Sequence, residues 1–240
     1  MILINHRVIL LINHLNSISS HTMRNRIFTY ESNEIEVTWD QKRCIHAARC
    51  VRGLGEVFDT GKKPWIQPEK RSADEVADVI ERCPTGALHY KMKKADRTEK
   101  PSSRNRVQPQ RNGPIYFFGN LEVQDAEGNT VLKETRFAMC RCGSSHNKPA
   151  CDNSHKKLDW SAPVSADTTD MDDMDEAIQD KLLIKLMKNG PVLLEGTYTL
   201  ESPEIGEFTS SKGIALCRCG GSSNKPFCDG THKKIGFKAE

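Results

Sequence analysis

Two stretches of this chain carry one and the same spacing of metal-binding residue types. Cys140 to His155 reads CRCGSSHNKPACDNSH, and Cys217 to His232 reads CRCGGSSNKPFCDGTH. Both follow Cys-x-Cys-x8-Cys-x3-His. The ligand candidates are Cys140, Cys142, Cys151 and His155 in the first, and Cys217, Cys219, Cys228 and His232 in the second. Three thiolates and one imidazole are the four donors that a tetrahedral metal or a small iron–sulfur cluster needs. The copies lie 77 residues apart. Gly113-Pro114 and Gly190-Pro191, Gly119 and Gly196, Lys156-Lys157 and Lys233-Lys234, and the aromatics Trp160 and Phe237 repeat at the same offset. The copies are therefore duplicated modules.

The cysteine count extends the argument to the N-terminal third. There are 9 cysteines, and an odd number argues against a complete disulfide framework. They fall into three groups of three, the remaining group being Cys44, Cys50 and Cys83. Thiolate ligands must stay reduced, so a reducing, cytoplasmic compartment is expected. At 37% hydrophobic residues the chain fits a soluble class with small cores, which a metal or cluster often holds together. A net charge of +3 gives no reason to expect a nucleic-acid partner, and no apolar run approaches the roughly 20 residues of a membrane helix.

Residues 1–26 are expected to be a disordered extension, with Met23 the preferred start. Residues 27–93 form one unit. IEVTW alternates like a strand, Ser72-x-x-Glu75 is a capping box opening the helix SADEVADVIERC, and ALHYKM follows as a strand. Residues 94–112, almost without apolar content, are expected to be a solvated linker. Residues 113–160 and 190–240 are the two modules, each with two alternating segments that predict short antiparallel strands leading into the ligand loop. Between them, residues 161–189 hold an acidic stretch and an amphipathic helix, AIQDKLLIKLMKNG, closed by Gly190-Pro191.

Cys44-x5-Cys50 with a remote Cys83-Pro84 resembles the divergent single-cluster ferredoxin domain. The middle ligand position of the usual run is Ala47 here, a gap similar to that of the three-iron ferredoxins paired with cytochromes P450. The resemblance implies a [3Fe–4S] cluster, or a [4Fe–4S] cluster whose fourth iron takes another ligand. His46 is adjacent and could serve as that ligand; the preferred reading is a neighbouring or exposed histidine. Three buried free cysteines are the bland alternative.

The twin motif resembles the CDGSH iron–sulfur family, also called NEET. The second copy matches its signature throughout. The first departs at Asn153, where the family has Gly, and Asn is the residue that best replaces Gly at positive φ. The resemblance implies one [2Fe–2S] cluster per motif, one iron on Cys140 and Cys142 and the other on Cys151 and His155, with Cys217, Cys219, Cys228 and His232 repeating the scheme. It also implies an α+β chain in which a small ferredoxin-like domain precedes two β-rich modules packed as a pseudo-dimer within a monomer. Asp152 and Asp229 are expected to order the ligand loops. Structural zinc remains the alternative occupant. The functional expectation is an electron carrier without catalysis of its own, working between redox partner proteins. Cluster transfer to apo-acceptors or redox sensing is the alternative.

Overall fold

In this computed structural model, residues 26–165 and 180–239 are described. The expected N-terminal extension and acidic stretch fall almost wholly outside them. The architecture is mostly β. Ile27–Glu31 (β1), Ile35–Asp40 (β2) and Leu88–Met92 (β3) form a three-stranded antiparallel sheet with β2 central. Ile35 and Val37 of β2 point inward and are fully buried, as period-2 alternation requires. Arg49–Gly53 (α1) is a single short turn, and Ala73–Ile80 (α2) is the main helix. Its capping box is present in both directions between Ser72 and Glu75, satisfying N-terminal N–H groups that a helix leaves unpaired. Val76, Ala77, Val79 and Ile80 bury against Ile35, Val57, Phe58 and Leu88.

The second sheet has eight strands: Arg106–Pro109 (β4), Ile115–Gln124 (β5), Thr130–Met139 (β6), Leu182–Leu186 (β7), Val192–Glu195 (β8), Tyr198–Ser202 (β9), Gly206–Ser210 (β10) and Ile214–Leu216 (β11). Its order is β10-β9-β4-β5-β7-β8-β11, with β6 pairing β5. The registers repeat at the sequence offset. Arg106 opposes Phe118 and Leu183 opposes Glu195, both antiparallel. Arg106 opposes Thr199 and Glu122 opposes Leu183, both parallel. The leading strand of each repeat thus pairs with its own module on one edge and with the other module on the opposite edge. One core runs under both, from Val107, Phe117 and Phe137 to Ile184, Leu194 and Leu216.

Two expectations need correction. Residues 94–112 are not a solvated tether. Val107 is fully buried in β4 at the centre of the large sheet, and Glu99 bonds His89 Nδ1 at 2.9 Å and pairs with Arg136. Low apolar content misled because Asn105, Arg106 and Gln108 are paired polar groups; Asn105 Nδ2 donates to Asp180 O and Thr197 O at 2.7 and 2.9 Å. The segment LLIKL is a strand rather than part of an amphipathic helix. Leu182, Ile184 and Leu186 are buried on one face. Short apolar runs satisfy both periods, and tertiary pairing decides.

Candidate metal centres

Each twin motif is a loop leaving the sheet at a strand end. Cys140 follows β6, and its N–H donates to Pro149 O at 2.9 Å; Cys151 N–H returns to Ala138 O at 2.9 Å. In the second copy Cys217 N–H reaches Pro226 O at 2.8 Å and Cys228 N–H reaches Ala215 O at 2.8 Å. These paired bonds hold the third cysteine beside the first two. An aspartate closes the loop. Asp152 accepts from the N–H groups of His146 and Ser154 at 2.8 and 2.9 Å, and Asp229 from those of Ser223 and Thr231 at 2.8 and 3.0 Å. For Asp229 these donors outweigh desolvation. For Asp152 burial pushes upward and the hydrogen bonds overcome it. Both carboxyls end well below their ordinary range.

The donors stand in pairs. Cys140 Sγ lies 3.7 Å from Cys142 Sγ, and Cys151 Sγ lies 3.7 Å from His155 Nδ1. In the second motif Cys217 and Cys219 are 3.7 Å apart, and Cys228 Sγ is 3.3 Å from His232 Nδ1. Two sulfurs bound tetrahedrally to one metal at about 2.3 Å sit about 3.8 Å apart, and a sulfur and an imidazole nitrogen about 3.5 Å apart. Each pair therefore fits one metal ion. The histidine presents Nδ1, placed by a short turn that starts from a positive-φ residue, Asn153 at 69° and Gly230 at 83°. The N–H groups of Asn153 and Gly230 lie 3.5 Å from the sulfurs of Cys151 and Cys228.

Burial and mutual hydrogen bonding set the thiols apart from one another. Burial pushes Cys151 and Cys219 up to about 11. Cys140 and Cys142 share a hydrogen bond that makes Cys140 the acidic member, down to about 6, and Cys142 the reluctant one. The arginine between the first two cysteines is buried in both copies. Arg141 donates to Gly113 O and Ala162 O at 3.1 Å each and stacks 5.5 Å from the Trp160 ring. Arg218 repeats this with Gly190 O at 2.9 Å and the Phe237 ring at 5.7 Å. Desolvation lowers both guanidinium pKa values, and each is opposed by a cysteine of the other repeat: Cys217 for Arg141 and Cys140 for Arg218.

The third group also converges. Cys44, Cys50 and Cys83 line one cavity of about 680 Å³ with Trp39, Trp65, Pro84 and Ala87. Cys50 is pushed up to about 11, first by burial. Trp39 Nε1 is buried without a hydrogen-bond partner, a donor that an acceptor-rich group in this cavity would satisfy. His46 lines the same cavity but is largely exposed, with positive φ of 54°.

Comparison with known families agrees with this geometry. A model described as an iron-binding zinc finger of CDGSH type matches residues 112–156 and again 189–233. A model described as a divergent 4Fe-4S mono-cluster matches residues 30–93. The chain carries a mono-cluster domain of this type followed by two CDGSH domains. The N-terminal domain is also similar to the uncharacterized protein YjdI of Escherichia coli strain K12 and of strain O157:H7, each 41% identical over 64 residues, which is 84% of the relative and 27% of this chain. No solved structure matches the chain. Among the described residues no helix is long and apolar enough to cross a membrane.

Sequence reasoning missed how the first CDGSH motif meets the mono-cluster domain. Asn153 Nδ2 donates to Ile45 O at 2.6 Å, and Asn147 Nδ2 to Lys42 O at 3.0 Å. Arg43 pairs with Glu134 and donates to Arg136 O at 3.2 Å. Ile45 packs on Cys151 and Ala138. A signal existed: Glu134, Arg136 and Asn153 are replaced by Ser211, Gly213 and Gly230 in the second copy.

Proposed function

We propose that this chain is an electron-transfer protein carrying two [2Fe–2S] clusters, one in each CDGSH motif, and one [3Fe–4S] or [4Fe–4S] cluster in the N-terminal cavity. The observation that carries this reading is the pairing of donors at 3.7 and 3.7 Å in one motif and 3.7 and 3.3 Å in the other. Two pairs fit two irons. A single zinc ion needs all four donors on one point, and among the described residues no three such side chains meet that condition. The clusters, when bound, would supply reversible one-electron exchange. Cys140 with Cys142 and Cys217 with Cys219 would hold one iron each, and Cys151 with His155 and Cys228 with His232 the other. Cys44, Cys50 and Cys83 would hold the third centre. The reciprocal pairing of β4 with β9 and of β7 with β5 supports reading the modules as a pseudo-dimer within one chain. On this reading the protein is a carrier between redox partner proteins and has no catalysis of its own.

Iron and acid-labile sulfide counts on anaerobically purified protein, with electron paramagnetic resonance before and after reduction, test the reading. The expected result is about seven or eight irons per chain and signals of two cluster types. A colourless protein with stoichiometric zinc and no sulfide would overturn it. Cluster transfer is the second reading. It is favoured by the partial exposure of Cys219 and Cys228, whereas all three cysteines of the first motif are buried. Loss of colour to an apo-ferredoxin supports transfer, and electron exchange with the colour retained supports the carrier.

A further inference from the structure

We infer that Asn153 is a positioning residue that clamps the first CDGSH motif onto the N-terminal cavity, coupling those two centres and leaving the second motif outside that contact. The inference rests on the electron-carrier reading above and adds an order to its centres.

The turn before the histidine needs positive φ, and Gly230 supplies it in the second copy at 83°. Asn153 supplies it at 69° at some conformational cost, which a turn alone does not require. What Asn adds is a donor, and that donor is spent on Ile45 O at 2.6 Å. Ile45 lies between Cys44 and His46, and all three line the cavity. Its side chain packs against Cys151 of the motif. One residue therefore ties the loop carrying a cavity cysteine to the loop carrying a motif cysteine.

The other ties fall on the same copy. Arg43, next to Cys44, pairs with Glu134 and donates to Arg136 O. Arg136 in turn donates to Leu88 O at 3.1 Å. At the matching positions the second copy has Ser211, Gly213 and Gly230, which offer neither that ion pair nor the amide donor. Only the first copy is built to receive the N-terminal domain. Coupling of this kind makes and breaks no bond and moves no proton. It fixes the separation across which one centre is oxidised as the other is reduced.

The test uses the full-length holoprotein with Asn153→Asp, which keeps the shape but loses the donor, Asn153→Gly, which keeps the turn, and Gly230→Asn as the mirror control. Two readouts apply: spin-relaxation enhancement between the reduced N-terminal and first-motif centres, and deuterium uptake at residues 43–48. Both Asn153 variants should keep their iron, weaken the relaxation enhancement, and speed uptake about tenfold, as loss of one such hydrogen bond implies. Gly230→Asn should change neither. Unchanged uptake and relaxation in both Asn153 variants, or an equal effect from Gly230→Asn, would overturn the inference. If no centre of the wild type is reversibly reducible, the carrier reading fails instead, while the uptake comparison still decides the clamp.

Discussion

Gly143 lies against the backbone of Cys219: a β-carbon at Gly143 would sit 2.4 Å from the Cys219 carbonyl oxygen. The relation is reciprocal, since one at Gly220 would sit 2.4 Å from the Cys142 carbonyl oxygen. Both glycines have positive φ, 79° and 83°. The two ligand loops therefore meet backbone to backbone. Replacing either glycine by alanine incurs about 1–2 kcal/mol for the left-handed backbone alone, and the clash adds to it. Gly143→Ala and Gly220→Ala should each lower the melting temperature by several degrees and change both motifs' spectra. If each variant perturbs only its own motif, the loops do not share this contact in solution.

Arg141 is 1% exposed and its guanidinium serves four backbone carbonyls, those of Gln110, Gly113, Ala162 and Pro163. Removing a buried donor leaves each carbonyl with its desolvation penalty. Arg141→Met should destabilise the protein by about 1–3 kcal/mol for each carbonyl left buried and unpaired, read by denaturant unfolding. Arg141→Lys should recover only part of that loss, because one ammonium cannot reproduce the planar fork.

His89 reports on the junction between the domains. Desolvation alone would lower its pKa, but Glu134 and Glu99 outweigh burial and hold it up at about 9. Glu134 lies on β6 and Glu99 in the segment between β3 and β4, and Arg43 and Arg136 complete the charge set by pairing with Glu134 and Glu99. A raised pKa gives stability that is complete below the unfolded histidine value near 6.5 and is lost as pH rises through about 9. Thermal stability should fall between those values. His89→Gln should be less stable at neutral pH and flat across that window. A wild-type profile without the alkaline decline would refute the assignment.

His232 presents Nδ1 at 3.3 Å from Cys228 Sγ. An imidazole ligand can be protonated off a metal, whereas a thiolate keeps an anionic site. His232→Cys should make the second motif's visible absorption more resistant to acid and its centre harder to reduce. Acid bleaching at the wild-type rate would mean that His232 is not a ligand.

Much of this was legible in the chain itself, because metal ligation fixes residue spacing. Cys140 and Cys142 are neighbours on one strand-to-loop exit, and Cys151 and His155 neighbours on one turn, in agreement with the pairing that the family resemblance implied. The capping box at Ser72 and the strands IEVTW and ALHYKM were legible for the same local reason. What depended on distant pairing was not. Val107 becomes a core residue only because β5 and β9 flank β4, and Leu182, Ile184 and Leu186 take period 2 only because β5 and β8 flank β7. The docking of Ile45 on Cys151 was hidden likewise, although the mismatches at Glu134, Arg136 and Asn153 marked the place.

The crossing of β4 and β7 between repeats bears on how such a chain can be divided. Cleavage within residues 166–179 would leave every ladder among the described residues in place, so the two fragments should stay associated as one particle. Either repeat expressed by itself would have lost the ladder along one edge of its leading strand, and a second molecule of the same fragment is the nearest substitute for it.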